Sequence, residues 1–325
     1  MGAASGVRWK ASVQRYLARV MRNISRDRRD LLAGRDIRRG LVEFDVFERG
    51  KRRHICSVRF SERVIQKSVS RNVLAPAIWP TLSAGCSANI AGRGTDYAIR
   101  RLKRQLARHY RRHGPEGYVL LIDFSSYFAN IDHAACMRLV DRAIDDERVK
   151  ELLTDQIAAY GECGLGLGSE PNQILAVALP SPIDRICESF PGVEAHGRYM
   201  DDSYLIGPDK DALWCALARV EMECARLGIV MNPRKTRMVK LTRGFTFLKK
   251  RFSFGLNGRI VVRPCRSAVT RERRKLRKLA SLVRRGLMTR DQAAASYRSW
   301  RASMGRLDAH GTVLRMDALF RELFG

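Results

Sequence analysis

With 325 residues, 45% hydrophobic and 29% charged, the chain can build a core for one large domain or two to three compact ones. No apolar run reaches the roughly 18 residues of a membrane helix, and MGAASGVRWKASVQRYLARV has no apolar stretch behind its basic residues, so neither a spanning segment nor a secretory signal is expected. The 61 Lys and Arg against 33 Asp and Glu leave a formal charge of +28, a surface that attracts polyanions, nucleic acid before anionic membrane. Cys56, Cys86, Cys136, Cys163, Cys187, Cys215, Cys224 and Cys265 form no C-x-x-C pair and no Cys/His cluster. Most sit among apolar neighbours, as in VALPSPIDRIC and DALWCALARV, and read as reduced core thiols of a cytoplasmic protein.

Residues 1–40 read as basic helices, with Val13, Leu17 and Val20 among arginines. Between 41 and 60, LVEFDVFERGKRRHICSVRF alternates apolar and polar residues around Gly50, a hairpin whose second arm carries Lys51, Arg52 and Arg53. A helix follows in SERVIQKSVSRNVLAPAI, and then IRRLKRQLARHYRRHG places Ile99, Leu102, Leu106 and Tyr110 at helical spacing on a basic cylinder. GYVLLIDF is a short apolar run that delivers a carboxylate at its tip, and GRYMDDSYLI is a tight hairpin with two acids at the turn. A glycine-rich loop, GECGLGLGSEPNQ, lies between them, and DALWCALARVEMECARLG is a helix closed by Gly228. Strands and helices alternate without strand-helix-strand regularity, which suits an α+β fold with an antiparallel sheet and helices on one face. In RERRKLRKLASLVRRGLM, Leu276, Leu279, Leu282 and Val283 form one stripe among eight basic residues, and residues 289–325 read as further helices.

Asp123, Asp201 and Asp202 each end or interrupt a run that should be buried, where an unpaired carboxylate costs several kcal/mol. Adjacent aspartates also repel each other. A divalent cation removes both difficulties, because hard oxygen ligands suit Mg²⁺ and its charge neutralises the cluster. In a basic protein such a cluster serves phosphoryl transfer by two metals about 4 Å apart.

IDFSSYFANIDH, GLGLGSEPNQ, RYMDD, NPRKT and GFTFLK occur in that order, and from about residue 41 to 255 the chain resembles the reverse transcriptases. The arrangement looks most like their bacterial and phage branch, related to group II intron enzymes, retrons and diversity-generating retroelements. The resemblance implies a right-hand polymerase: a basic helical extension (1–40), fingers (41–115), a palm with an antiparallel sheet (116–255) and a short helical thumb (256–325). It implies an RNA-directed DNA polymerase that extends a primer 3′-OH with dNTPs, using two Mg²⁺ ions, with Mn²⁺ as a substitute. Implied partners are an RNA template and a DNA or RNA primer, with room for a structured non-coding RNA and an accessory protein, but no membrane. No ribonuclease H, maturase, endonuclease or integrase segment is expected within these residues.

The resemblance also assigns roles. Asp123 and Asp201 would bridge both ions, with Asp202 beside them and the Phe124 carbonyl as a further ligand. Phe128 would be an aromatic gate against a ribose 2′-OH. Lys51 and Arg53 would clamp the triphosphate, with Arg63 a weaker candidate and Arg52 able to replace either. Lys235 would donate a proton to departing pyrophosphate. Phe247 and Leu248 would form the primer grip, where Lys249 replaces the family's usual glycine. The stripe from Arg271 to Arg285 would be the first thumb helix, riding the duplex through phosphate contacts.

Leu167, Gly168 and Gln173 belong to the loop beneath the templating pair. Many reverse transcriptases have Gln before that glycine; the aliphatic Leu167, with Asn172-Gln173 after it, resembles the pattern of diversity-generating enzymes. The alternatives are a defence-associated relative that makes DNA from a non-coding RNA or without a template or nucleic-acid primer, and a basic RNA-binding module in which the acids do no chemistry.

Overall fold

The N-terminal segment folds as two helices, α1 (Ala11–Leu17) and α2 (Val20–Leu32), in a computed structural model that describes residues 2–48 and 51–325. Val13 and Tyr16 are the buried residues of α1, and the Tyr16 hydroxyl donates to Asp27 on α2 at 2.8 Å. Strands β1 (Leu41–Glu48) and β2 (Lys51–Val58) pair antiparallel from Leu41↔Val58 onwards; the expected turn at Gly50 lies outside the described residues. Helix α3 (Phe60–Val69) runs through a π-helical turn at Ser70–Leu74 into α4 (Ala75–Ile78). The wider turn falls just before Pro76, which has no N–H to donate. Helix α5 (Thr95–His113) buries Ala98, Leu102, Leu106 and His109, so the expected Ile99–Tyr110 stripe is rotated and a histidine ends the buried line.

The central sheet has the order β4-β5-β3-β6, every neighbour antiparallel: β3 (Tyr118–Ile122), β4 (Ala195–Tyr199), β5 (Asp202–Gly207) and β6 (Arg237–Lys240). Leu120, Ile122 and Leu205 face a large core made with α7 (His133–Ala143), α8 (Glu147–Ala158), α9 (Glu170–Ala178), α10 (Ser181–Ser189) and α11 (Lys210–Arg226), beyond the short α6 (Tyr127–Asn130). Val119, Leu121, Tyr204 and Ile206 face a second core under α5 and a small sheet of β7 (Phe245–Phe247), β8 (Lys250–Phe254) and β9 (Ile260–Pro264). Both faces are therefore covered, which corrects the expectation of helices on one face. YVLLI and SYLI are apolar at successive rather than alternate positions, the pattern of a strand buried on both sides.

Strand β9 pairs with β8, so the helical C-terminal part begins only at α12 (Arg266–Arg284), later than the expected boundary at 256. With α13 (Arg290–Met304) and α14 (His310–Phe324) it encloses a separate core of Leu276, Leu279, Tyr297, Met316 and Phe324. The cysteines are free thiols, but Cys163 and Cys215 are exposed. Cys215 stands off the buried Leu213–Ala216–Leu217–Val220 line of α11, so its apolar sequence neighbours misplace it.

Beneath the β4–β5 turn, Arg198 and Asp184 are fully buried together. The guanidinium forks onto the carboxylate, Nε to Oδ1 at 2.8 Å and Nη2 to Oδ2 at 2.7 Å. It also donates to the carbonyls of Val177 (2.8 Å) and Met200 (3.2 Å), tying α9, α10 and the turn to one cation. Such a pair gains little over an apolar pair of the same volume, but losing one partner strands a buried charge. Asp184→Leu is expected to cost about 3–5 kcal/mol in urea unfolding, and Asp184→Leu with Arg198→Met to recover most of it. A single-variant loss within about 0.5 kcal/mol would assign the pair no structural role.

Candidate active site

Register alone brings the acids together. Strand β3 pairs with β5 as far as Ile122↔Ser203, so the next residues, Asp123 and Asp202, meet at one end of the sheet. Tyr199↔Asp202 closes the β4–β5 hairpin over a two-residue turn, Met200 and Asp201, and Met200 takes φ 57. Left-handed backbone is uncommon for such a side chain, and Arg198 holds the Met200 carbonyl in that turn.

Asp123 is buried. Its carboxylate accepts from Lys235 Nζ at 2.9 Å on both oxygens and from Asn232 Nδ2 at 3.1 Å, while its carbonyl accepts from the Asn232 N–H at 2.8 Å. Asp123 in turn raises the Lys235 ammonium above its usual range. Burial, with the charges of Asp201 and Asp123, pushes Asp202 up to about 6. A carboxyl driven that far towards its neutral form marks a buried site where carboxylates crowd together. The donors are all hard oxygens, the set that suits Mg²⁺, so the residues fit a divalent cation.

Asn232 was not anticipated. Its side-chain oxygen also accepts from the Arg234 N–H at 3.1 Å, folding the loop that carries Lys235 back onto Asp123. The Asn-Pro dipeptide, a turn former, was the available signal.

The aromatic pair divides its work. Tyr127 is buried, and its hydroxyl donates to the Ala176 carbonyl at 2.6 Å. Phe128 is only partly buried and stands edge-on to Tyr127 at 5.9 Å, on the short α6 that follows Asp123. Phe124 is buried and forms an isolated β-bridge with Met231, so its backbone lies in the same layer as the acids.

The glycine-rich loop is shaped by close approaches. A Cβ on Gly166 would meet the Tyr160 ring at 1.9 Å, and Asn172 donates to the Gly166 carbonyl at 3.3 Å from a fully buried position. Gly168 has φ 105 and only an ordinary contact beside it, Ser57 Oγ 4.0 Å from a would-be Cβ, so glycine there answers to backbone conformation, not to crowding. Leu167 is half-buried, and Gln173 is half-buried one turn into α9. Arg63 donates to Ser57 Oγ at 2.7 Å and lines, with Gly168, a cavity of about 230 Å³.

On the β1–β2 hairpin, Arg52 is committed to Asp45 at 2.5 Å. Lys51 and Arg53 occupy register positions opposite Glu48 and Val46; their side chains lie outside the described residues. Phe247 is buried, with its ring edge-on to Tyr204 at 4.9 Å, so of the two expected primer-grip residues it anchors the hairpin from within. Leu248 and Lys249, at φ 47 and 61, form the tight turn between Phe247↔Lys250. Two successive positive φ values are those of a type I′ turn, so the hairpin forms without the glycine.

No curated protein sequence matches the chain. Solved structures that share its fold include three of telomerase. Two are apo telomerase from Candida tropicalis truncated from the C-terminal domain (TM-score 0.52, 16% identity, 69% of this chain and 55% of that one) and apo telomerase from the same organism (0.51, 14%, 66% and 47%). The third is telomerase from Candida albicans in complex with a TWJ fragment of telomeric RNA (0.54, 12%, 86% and 54%). The chain thus spans about half the length of these structures. At such identities the likeness is one of fold, a right-hand polymerase with mixed helices and antiparallel sheets. The family model described as reverse transcriptase (RNA-dependent DNA polymerase) matches residues 45–251, more than half of the sequence and including the aspartates, the glycine loop and the Asn232–Lys235 turn, and the chain belongs to that family.

Proposed function

We propose that this chain is an RNA-directed DNA polymerase that adds dNTPs to a primer 3′-OH on an RNA template, with Asp123, Asp201 and Asp202 as its metal-binding centre. The observation that carries this reading is the meeting of Asp123 and Asp202 at one sheet end, with Asp202 raised to about 6 by burial and by the neighbouring charges of Asp201 and Asp123. Two bound Mg²⁺ or Mn²⁺ ions would activate the primer 3′ oxygen and neutralise the triphosphate.

The protein's own groups position and protonate. Asp123, Asp201 and Asp202, with the Phe124 carbonyl, would hold the ions. Lys235 stands beside Asp123 with its side chain 63% exposed, as a proton donor for departing pyrophosphate must. Lys51 and Arg53 would grip the triphosphate, a role Arg52 is poorly placed to share while bonded to Asp45. Arg63, beside Gly168, would support the same nucleotide. Phe128, the less buried of the aromatic pair, would exclude a ribose 2′-OH. Leu167, Gly168 and Gln173 would underlie the templating pair, and Leu248 would touch the primer from the turn that Phe247 anchors. Residues 41–115 would act as fingers, 116–255 as palm and the helices from α12 onward as thumb, with α12 on the duplex phosphates.

Asp201→Asn is expected to lower nucleotide addition about 100-fold or more while leaving template-primer affinity within a few-fold, because phosphate contacts dominate binding. Addition within tenfold of wild type in a single-turnover assay removes Asp201 from the mechanism. Phe128→Ala is expected to reduce discrimination against ribonucleotides about 10-fold or more, read from paired dNTP and rNTP kcat/KM values. Unchanged discrimination would locate the gate elsewhere.

Within the family we place the chain with the bacterial and phage enzymes, closest in its glycine loop to the diversity-generating type. Leu167 can offer an incoming nucleotide contact area but no hydrogen bond. Apolar shape alone discriminates about 10–200-fold, where a polar contact reaches several powers of ten. Low fidelity follows, and Leu167→Gln should lower the error frequency in products sequenced from a mixed RNA template. Identical error spectra would remove the support for that branch.

A further inference from the structure

At the end of the central sheet remote from Asp123, helix α5 packs against the start of β4 through a cluster that the polymerase reading does not use. His109 and His113 lie one turn apart on α5, and Glu194 immediately precedes β4. His109 Nδ1 is 2.8 Å from Glu194 Oε2, and His113 Nε2 is 2.8 Å from Glu194 Oε1. The three ligand atoms lie within 4.8 Å of one another.

The bonding of His109 limits what can stand between these groups. Its side chain is 1% exposed, and Nε2 is 2.6 Å from the Glu116 carbonyl oxygen. A carbonyl only accepts, so Nε2 carries the hydrogen. In the neutral ring Nδ1 is then a lone pair aimed at a carboxylate oxygen, which is also a lone pair. Only a second proton or a metal ion reconciles that contact. An Nε2–H held by a backbone carbonyl, leaving the other nitrogen free, is the usual arrangement of a metal-ligating histidine. His113 is 32% exposed and Glu194 19%, which gives an ion a route from solvent. Burial pushes Glu194 upward, but the bonds from His113 and His109 outweigh it and leave the carboxyl below its usual range, hence ionised.

We propose that His109 Nδ1, His113 Nε2 and a Glu194 oxygen bind one transition-metal ion of the zinc class, with water in the fourth position. Two imidazoles and a carboxylate suit Zn²⁺ and disfavour Mg²⁺. Arg112 competes for Glu194, approaching Oε1 at 3.6 Å, but its side chain is 59% exposed and can turn to solvent. Arg108 lines the neighbouring polar pocket and opposes a bound cation at longer range. A metal ion and a proton exclude each other at Nδ1, so affinity rises with pH. The site is structural: it fastens the C-terminal end of α5 to the strand that leads into the Met200–Asp201 turn, and it takes no part in nucleotide addition.

The test uses the full chain carrying Asp201→Asn and Cys56→Ser. These weaken the aspartate centre and a second group within reach of an ion, Glu43, His54 and Cys56 on the β1–β2 hairpin. Zinc chloride at about 100 times the dissociation constant should raise the melting temperature by about 5 °C, and Co²⁺ should give the intense visible absorption of a four-coordinate site. His113→Ala and Glu194→Gln in the same background should melt cooperatively without zinc and lose both responses. Zinc responses undiminished in His113→Ala and Glu194→Gln overturn the proposal, as does a parent whose melting temperature zinc does not move, which leaves a proton-held ion pair only. His113→Ala alone should retain nucleotide addition, so failure of the zinc site and failure of the polymerase reading are separable.

Discussion

The pairing of β3 with β5 sets two carboxylates side by side at the end of a sheet whose strands are apolar on both faces, and the surrounding structure answers to that placement. Burial and the like charges of Asp201 and Asp123 together push Asp202 up to about 6. Lys235 and Asn232 are folded back onto Asp123 by the loop before β6. The hairpin that adds Asp201 needs a left-handed Met200, and that conformation is held from below by Arg198. The arginine is fully buried, so it needs Asp184, which fixes where α10 must sit. One register decision thus reaches through the turn and the ion pair into the helical layer.

Much of this was legible in the sequence, and the reasons are local. GYVLLIDF and GRYMDDSYLI each carry strand pattern and acid together, so strand ends and candidate ligands came from the same letters. The amphipathic stripe of α12 emerged as written, with Leu276 and Leu279 buried. What escaped depends on contacts between distant segments. Nothing near Arg198 in the sequence announces a burial partner 14 residues away, because an arginine in an apolar run reads equally as an edge charge. The line of α5 was misread by one position because Tyr110 and His109 both fit a helical period. The second layer over the sheet was missed because β7, β8 and β9 are short and lie far along the chain.

Some expectations rested on side-chain identity where backbone decides. Lys249 in place of glycine does not prevent the β7–β8 turn, since Leu248 and Lys249 adopt the required positive φ within a hairpin paired on both sides. Gly168 looks like a residue kept small for space, but a side chain there would meet only Ser57 Oγ at ordinary contact distance, and its φ of 105 is the constraint. The glycine that crowding does require is Gly166, against Tyr160. Asn172 holds that same Gly166 carbonyl, so the loop carrying Leu167 is fixed from both ends before any ligand arrives.

The distribution of charge supplies a last constraint on the proposed chemistry. A net +28 surrounds an acidic centre, with α5 and α12 among the most basic elements. A polyanionic duplex would be drawn to such a shell through its phosphates. In the proposed chemistry the same phosphates would meet Asp123, Asp201 and Asp202 at the centre, where Lys235 is already bonded to Asp123. A basic shell without an acidic centre would bind nucleic acid and leave its ends untouched. An acidic centre without divalent cations would repel the reacting phosphate that the shell had delivered. The proposed ions reconcile the two, which is why binding and nucleotide addition should separate cleanly when the aspartates are changed.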